Sequence, residues 1–77
     1  MNEFAHEVGT LAGKIWHYLN EHGETSVPEL RTAIFNGTVT PTDRIKFSMS
    51  LGWLLRENNL NMWKQGNKIK VSLNKTE

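Results

Sequence analysis

The side chains able to do chemistry in this chain are three histidines, His6, His17 and His22, four serines and a scatter of carboxylates; there is no cysteine. His6-Glu7 begins like H-E-x-x-H, which sets two imidazoles on one helix face around zinc with the glutamate as base. Position 10 is threonine, so the second imidazole is missing. His17 and Glu21 stand four apart and share a helix face, but two ligands fall short of a zinc shell. "GTLAGK" at residues 9–14 lacks the G-x-x-x-x-G-K-[ST] spacing that cradles phosphate. Ser26, Ser48, Ser50 and Ser72 have no base and third group at recognisable spacing. Without cysteine there is neither a disulfide framework nor a thiolate metal site. The expectation is a protein that is not an enzyme, with no cofactor, no metal and no small-molecule substrate.

The cations suggest more. The chain has 77 residues and a formal net charge of +1. Residues 1–40 hold Lys14 and Arg31 against five glutamates, leaving −3, whereas residues 41–77 hold seven Lys/Arg against three carboxylates, leaving +4. Charge divided this way hints at nucleic-acid contact. The cations that could do it are Arg44 and Lys46, with Thr42 and Ser50 beside them as polar donors, and Lys64, Lys68 and Lys70 further on. Arg, Lys, Ser and Thr can donate to base edges or phosphates.

These residues need elements to present them. Val8, Leu11, Ala12, Ile15, Tyr18 and Leu19 recur at helical spacing and predict a first helix over residues 4–22, stopped by Gly23. Gly9 and Gly13 share a face of it, which suits close approach of a neighbouring helix. In "TSVPEL", Ser26 is an N-cap, Glu29 completes a capping box and Pro28 fits the first turn. A short second helix follows over 28–35, with Leu30, Ala33 and Ile34 inward and Asn36-Gly37 ending it. Thr25 to Val27 can add an extended segment ahead of the cap. Thr40-Pro41 opens a third helix over 41–58, with Asp43 at the positive end of its dipole. From Leu60 the period changes to two: residues 60–73 read as a β-hairpin around Gly66-Asn67, with a tail at 74–77. A single domain of helix, short strand, helix, helix and hairpin is the winged helix-turn-helix arrangement, an α+β fold that is mainly α.

"LGWLLREN" followed by "KIKVSL", with "VGTLAGKIWHYLNEHG" and "SVPELRTA" upstream, resembles a family of small stand-alone bacterial winged helix-turn-helix domains of unknown function. The resemblance covers nearly the whole chain. It implies the fold and supplies no catalytic or binding residues, because fold alone does not set function.

The third helix admits two registers. In one, Phe47, Ser50, Leu51 and Leu54, with Leu55 at the margin, face inward; in the other, Ser48, Leu51, Gly52 and Leu55 do. Thr42, Lys46 and Trp53 project outward in both, with Met49 beside them. Two functions follow. One is DNA binding in a regulatory role, with Thr42, Arg44, Lys46 and Ser50 near bases or phosphates and Lys64, Lys68 and Lys70 holding the backbone of a duplex. The wing lysines have a plainer use, blunting an exposed strand edge. The other function is protein contact or homodimerisation through an apolar ridge of Ile45, Met49 and Trp53, spaced i, i+4 and i+8. Trp53 divides them: folded under the wing it leaves a lysine-bearing DNA reader, and exposed beside Met49 it makes a protein-contact surface. No run is long and apolar enough to span a membrane and the N-terminus lacks a signal-peptide pattern. With no cysteine, the expected location is the cytoplasm.

Overall fold

A computed structural model describes residues 3–75. The elements are α1 (Glu3–His22), β1 (Thr25–Ser26), α2 (Val27–Ile34), α3 (Pro41–Arg56), β2 (Leu60–Gln65) and β3 (Lys68–Leu73). Three helices and a three-stranded antiparallel sheet of order β1-β3-β2 make the expected winged helix-turn-helix, predominantly helical.

The apolar stripe of α1 buries Val8, Leu11, Ala12, Ile15 and Leu19. The helix ends where Gly23, at φ 80°, turns left-handed and its N–H reaches the Leu19 carbonyl at 2.8 Å. The extended segment before α2 is a true strand: Thr25 pairs with Val71 and Ser26 with Lys70. The Ser26 hydroxyl then caps α2, accepting from the Glu29 N–H and donating to its carboxylate at 2.8 Å. That short, charge-assisted contact, with the Ser26 amide, holds the Glu29 carboxyl below the ordinary glutamate value. Within α2, Leu30 is fully buried and Ile34 partly so; Ala33, expected inward, is exposed.

At the start of α3 the capping box is reciprocal. The Thr40 hydroxyl accepts from the Asp43 N–H at 3.0 Å, and the Asp43 carboxylate accepts from the Thr40 N–H at 3.1 Å. The helix ends at Arg56, two residues short of the expected boundary, because Asn58 takes a left-handed φ of 63° and the Asn59 N–H closes on the Leu54 carbonyl. In the hairpin, Gln65 pairs with Lys68 across Gly66-Asn67, with Gly66 at φ 63°. A glycine with positive φ at the first of two turn residues is the pattern that suits the strand twist.

One core joins the layers: Leu11, Ala12, Ile15 and Leu19 of α1, Leu30 of α2, Phe47, Leu51 and Leu54 of α3, and Leu60, Val71 and Leu73 of the sheet. Phe35 stands edge-on to Phe47, centroids 6.1 Å apart, and closes the end beneath the α2–α3 turn.

Candidate interaction surface on the third helix and wing

The register of α3 is set by Phe47, Ser50, Leu51 and Leu54, all buried. The alternative register is excluded, since Ser48, Gly52 and Leu55 are exposed. Ser50 is wholly inaccessible, and its hydroxyl lies 3.1 Å from the Val8 carbonyl and 2.8 Å from the Lys46 carbonyl. It ties α3 to α1. The expectation that Ser50 donates to DNA is therefore corrected: its one proton is committed inside the protein.

Lys46 is engaged within the protein as well. Its ammonium pairs with the Glu7 carboxylate of α1 and sits 5.0 Å from the centre of the Phe4 ring, leaving only 18% of the side chain exposed. A cation held by a carboxylate and a ring face must give up both before it meets a phosphate. Of the four polar candidates on α3, Thr42 and Arg44 stand on the surface.

The hairpin divides its lysines between two faces, because side chains alternate across a strand. Leu60, Met62, Val71 and Leu73 turn toward the helices, and Lys64 and its cross-strand partner Ile69 continue that face outward to the tip. Trp63, Gln65, Lys68 and Lys70 take the other face. Lys64 and Lys68 are exposed; Lys70 is half-buried and lies 3.7 Å from Glu24. Trp63, half-buried, lies across from Lys70, its indole N–H 3.4 Å from the Gln65 side-chain oxygen.

The outer surface of α3 carries large apolar side chains among Thr42, Ser48 and Arg56. Ile45, Met49, Trp53 and Leu55 are 56%, 47%, 48% and 46% exposed. Trp53 does not fold beneath the wing, whose inner face is already filled by core residues. Its ring instead leans on α1 at Gly9, where an added Cβ would lie 4.0 Å from the ring edge. The close helix approach expected at Gly9 and Gly13 does not occur: a Cβ at Gly9 would meet only that ring edge, at ordinary contact distance, and nothing comes within 4 Å of a Cβ at Gly13 or Gly52. Leu55, expected at the inward margin, is exposed as well, on the flank of α3 away from Trp53. The signal that could have revealed it is angular: Phe47, Ser50, Leu51 and Leu54 complete a buried arc, and at about 100° per residue Leu55 falls outside it.

Among the described residues no three His, Cys, Asp or Glu groups converge as a metal site, and no helix is long and apolar enough to cross a membrane. An open groove of about 360 Å³ lies between α1 and the start of α3, floored by Leu11 and Phe35 and rimmed by the Glu7–Lys46 pair, Lys14 and Asp43.

Residues 1–73 match the family described as Winged helix-turn-helix domain (DUF2582). No curated protein matches the chain.

Proposed function

The chain belongs to the winged helix-turn-helix domain family DUF2582, and we propose that within this frame the outer face of α3 docks an apolar protein surface. The observation that carries the proposal is the exposure of Ile45, Met49 and Trp53 along one helix face, while Ser50 and Lys46 are withdrawn from it. A helix that reads base edges presents donors and acceptors to the groove. Three large apolar side chains left in water along one row instead mark a contact surface.

The fold itself suggests DNA binding, and one observation supports a second reading: Arg44, Arg56, Lys64 and Lys68 are exposed, and among the described residues none of them makes an ion pair. Under that reading these cations and Thr42 hold phosphates, and a regulatory role would follow from a partner bound at α3.

Titration of the isotopically labelled chain with a random duplex at two salt concentrations separates the readings. The docking reading expects any salt-dependent shifts at Arg44, Lys64 and Lys68, with Ile45, Met49 and Trp53 unmoved. Saturable, salt-dependent shifts centred on Ile45, Met49 and Trp53 would overturn it and make α3 a DNA reader.

A further inference from the structure

We infer that Asn36 is a modification site, at which the chain deamidates through its own backbone, and that the cap closing α2 holds the reaction back. The inference is independent of what docks on α3.

Asparagine is among the chemically labile residues. Of the eight in this chain, Asn36 is the one followed by glycine. A glycine has no β-carbon to shield its amide nitrogen from the preceding side chain. Asn36 and Gly37 are both exposed, and nothing lies within 4 Å of a Cβ built at Gly37. The Gly37 nitrogen, once its proton passes to water, attacks Cγ of Asn36. The N–Cγ bond forms, the Cγ–Nδ2 bond breaks, and ammonia leaves with a proton from water. The succinimide so formed takes up one water and opens at either carbonyl, to aspartate or to isoaspartate. Water is the only co-reactant.

The nucleophile is already in use. Asn36 stands at φ 56° just past the Phe35 cap of α2, and the Gly37 N–H donates to the Thr32 carbonyl at 2.9 Å. That is the outer bond of a Schellman closure, with asparagine in the left-handed place. The nitrogen that must attack is the one that closes the helix, and it cannot do both. Fraying of the last turn of α2 frees it, and helix ends open at far lower cost than cores. The products then weaken the cap that delayed them. A carboxylate at position 36 opposes the negative end of the α2 dipole. Isoaspartate also adds a methylene to the main chain beside Phe35, whose ring packs edge-on against Phe47 of α3. Conversion therefore loosens the turn that seats α3 on α2.

The test follows position 36 by peptide mapping of the full chain, incubated at mildly alkaline pH both folded and in urea. In urea Asn36 should convert ahead of every other asparagine, and tenfold or more faster than in the folded chain. Each event takes one unit from the net charge of +1, which ion exchange reads. Two variants locate the gate, with circular dichroism checking that both fold. Ala33→Gly, an exposed change in the last turn of α2, should speed conversion in the folded chain about four- to fivefold, the worth of a glycine in a helix. Ser50→Ala weakens the tie between α3 and α1 and should leave the rate unchanged. A different asparagine converting first in urea, or equal rates folded and in urea, would overturn the inference. So would a folded-state rate that Ala33→Gly does not raise. Equal acceleration by both variants would overturn it too, since global unfolding rather than the cap would then be the gate.

Discussion

Replacing Gly52 by alanine is expected to stabilise the folded monomer. Gly52 lies in the interior of α3, four residues before its end at Arg56, and is not among the glycines with positive φ. A methyl group there meets nothing within 4 Å, so no packing is disturbed. What remains is backbone preference: glycine in a helix interior is about 0.8–1.0 kcal/mol worse than alanine, largely because its unfolded chain has more freedom to lose. In a domain of this size, 1 kcal/mol moves the midpoint of thermal unfolding by about 4–8 °C. Gly52→Ala should therefore raise it by about 3–8 °C in a melt at low micromolar protein, where association contributes least. Gly66→Ala is the control: φ is 63° at that turn, so it should lower the midpoint. An unchanged or lower midpoint for Gly52→Ala at low concentration would refute the reasoning, since it would require a local conformation other than open helix. A gain that disappears as concentration rises would mean that the bare backbone at position 52 is used in association.

Ser50→Ala removes the buried hydroxyl between α3 and the Val8 carbonyl and should cost about 1 kcal/mol in urea unfolding; a neutral or stabilising result would mean the bond contributes nothing. Glu29→Gln should flatten the acid limb of stability. The Glu29 carboxyl is held below its ordinary value by the Ser26 hydroxyl and amide, assisted by Lys68 and Lys70. A lowered folded-state pKa gives stability that is full above the unfolded value and lost as pH falls through the folded one. Wild type and variant should thus differ at neutral pH and converge in acid; parallel curves would refute it. Glu7→Gln should release Lys46, costing less than about 1 kcal/mol because Glu7 is partly solvated, and Lys46 cross-peaks to the Phe4 ring in NMR should weaken. Retention of those cross-peaks at full strength would show that Glu7 does not hold the cation.

The elements with a single apolar period were legible in the residues. The stripe of α1, the Ser26 and Thr40 caps and the change of period at Leu60 each have one geometric solution, and each forms as read. Helix α3 was harder because it is apolar on both sides. Phe47, Leu51 and Leu54 face Ile45, Met49 and Trp53 across the same turns, and spacing alone allows two registers. The register is decided by contacts distant in sequence, Ser50 to Val8 and Lys46 to Glu7, which are 42 and 39 residues apart. A small hydroxyl and a lysine on a helix read locally as surface donors; only the neighbouring helix turns one into a tie and the other into half of an ion pair. Trp53 was ambiguous for the same reason, since its resting place is the bare flank of α1 at Gly9 rather than the adjacent wing.

The size of any DNA contact follows from which cations remain. If Arg44, Arg56, Lys64 and Lys68 all reached phosphates, the dependence of binding on salt would have a logarithmic slope no steeper than about −3.6, a loss of roughly 150-fold between 50 and 200 mM. Without Ser50 and Lys46, α3 retains Thr42 and Ser48 as its small polar donors on the surface, too few to read several base pairs when each good contact is worth ~1–3 kcal/mol. Binding of this kind would be weak and indifferent to sequence. Filter binding with two unrelated duplexes across a salt series tests both parts at once. Equal affinities and a shallow slope agree with phosphate contact alone. A slope steeper than about −4 would require further cations, with Lys46 or Lys70 freed from its carboxylate, and a preference of 100-fold for one duplex would require base readers that the ridge of Ile45, Met49 and Trp53 does not provide.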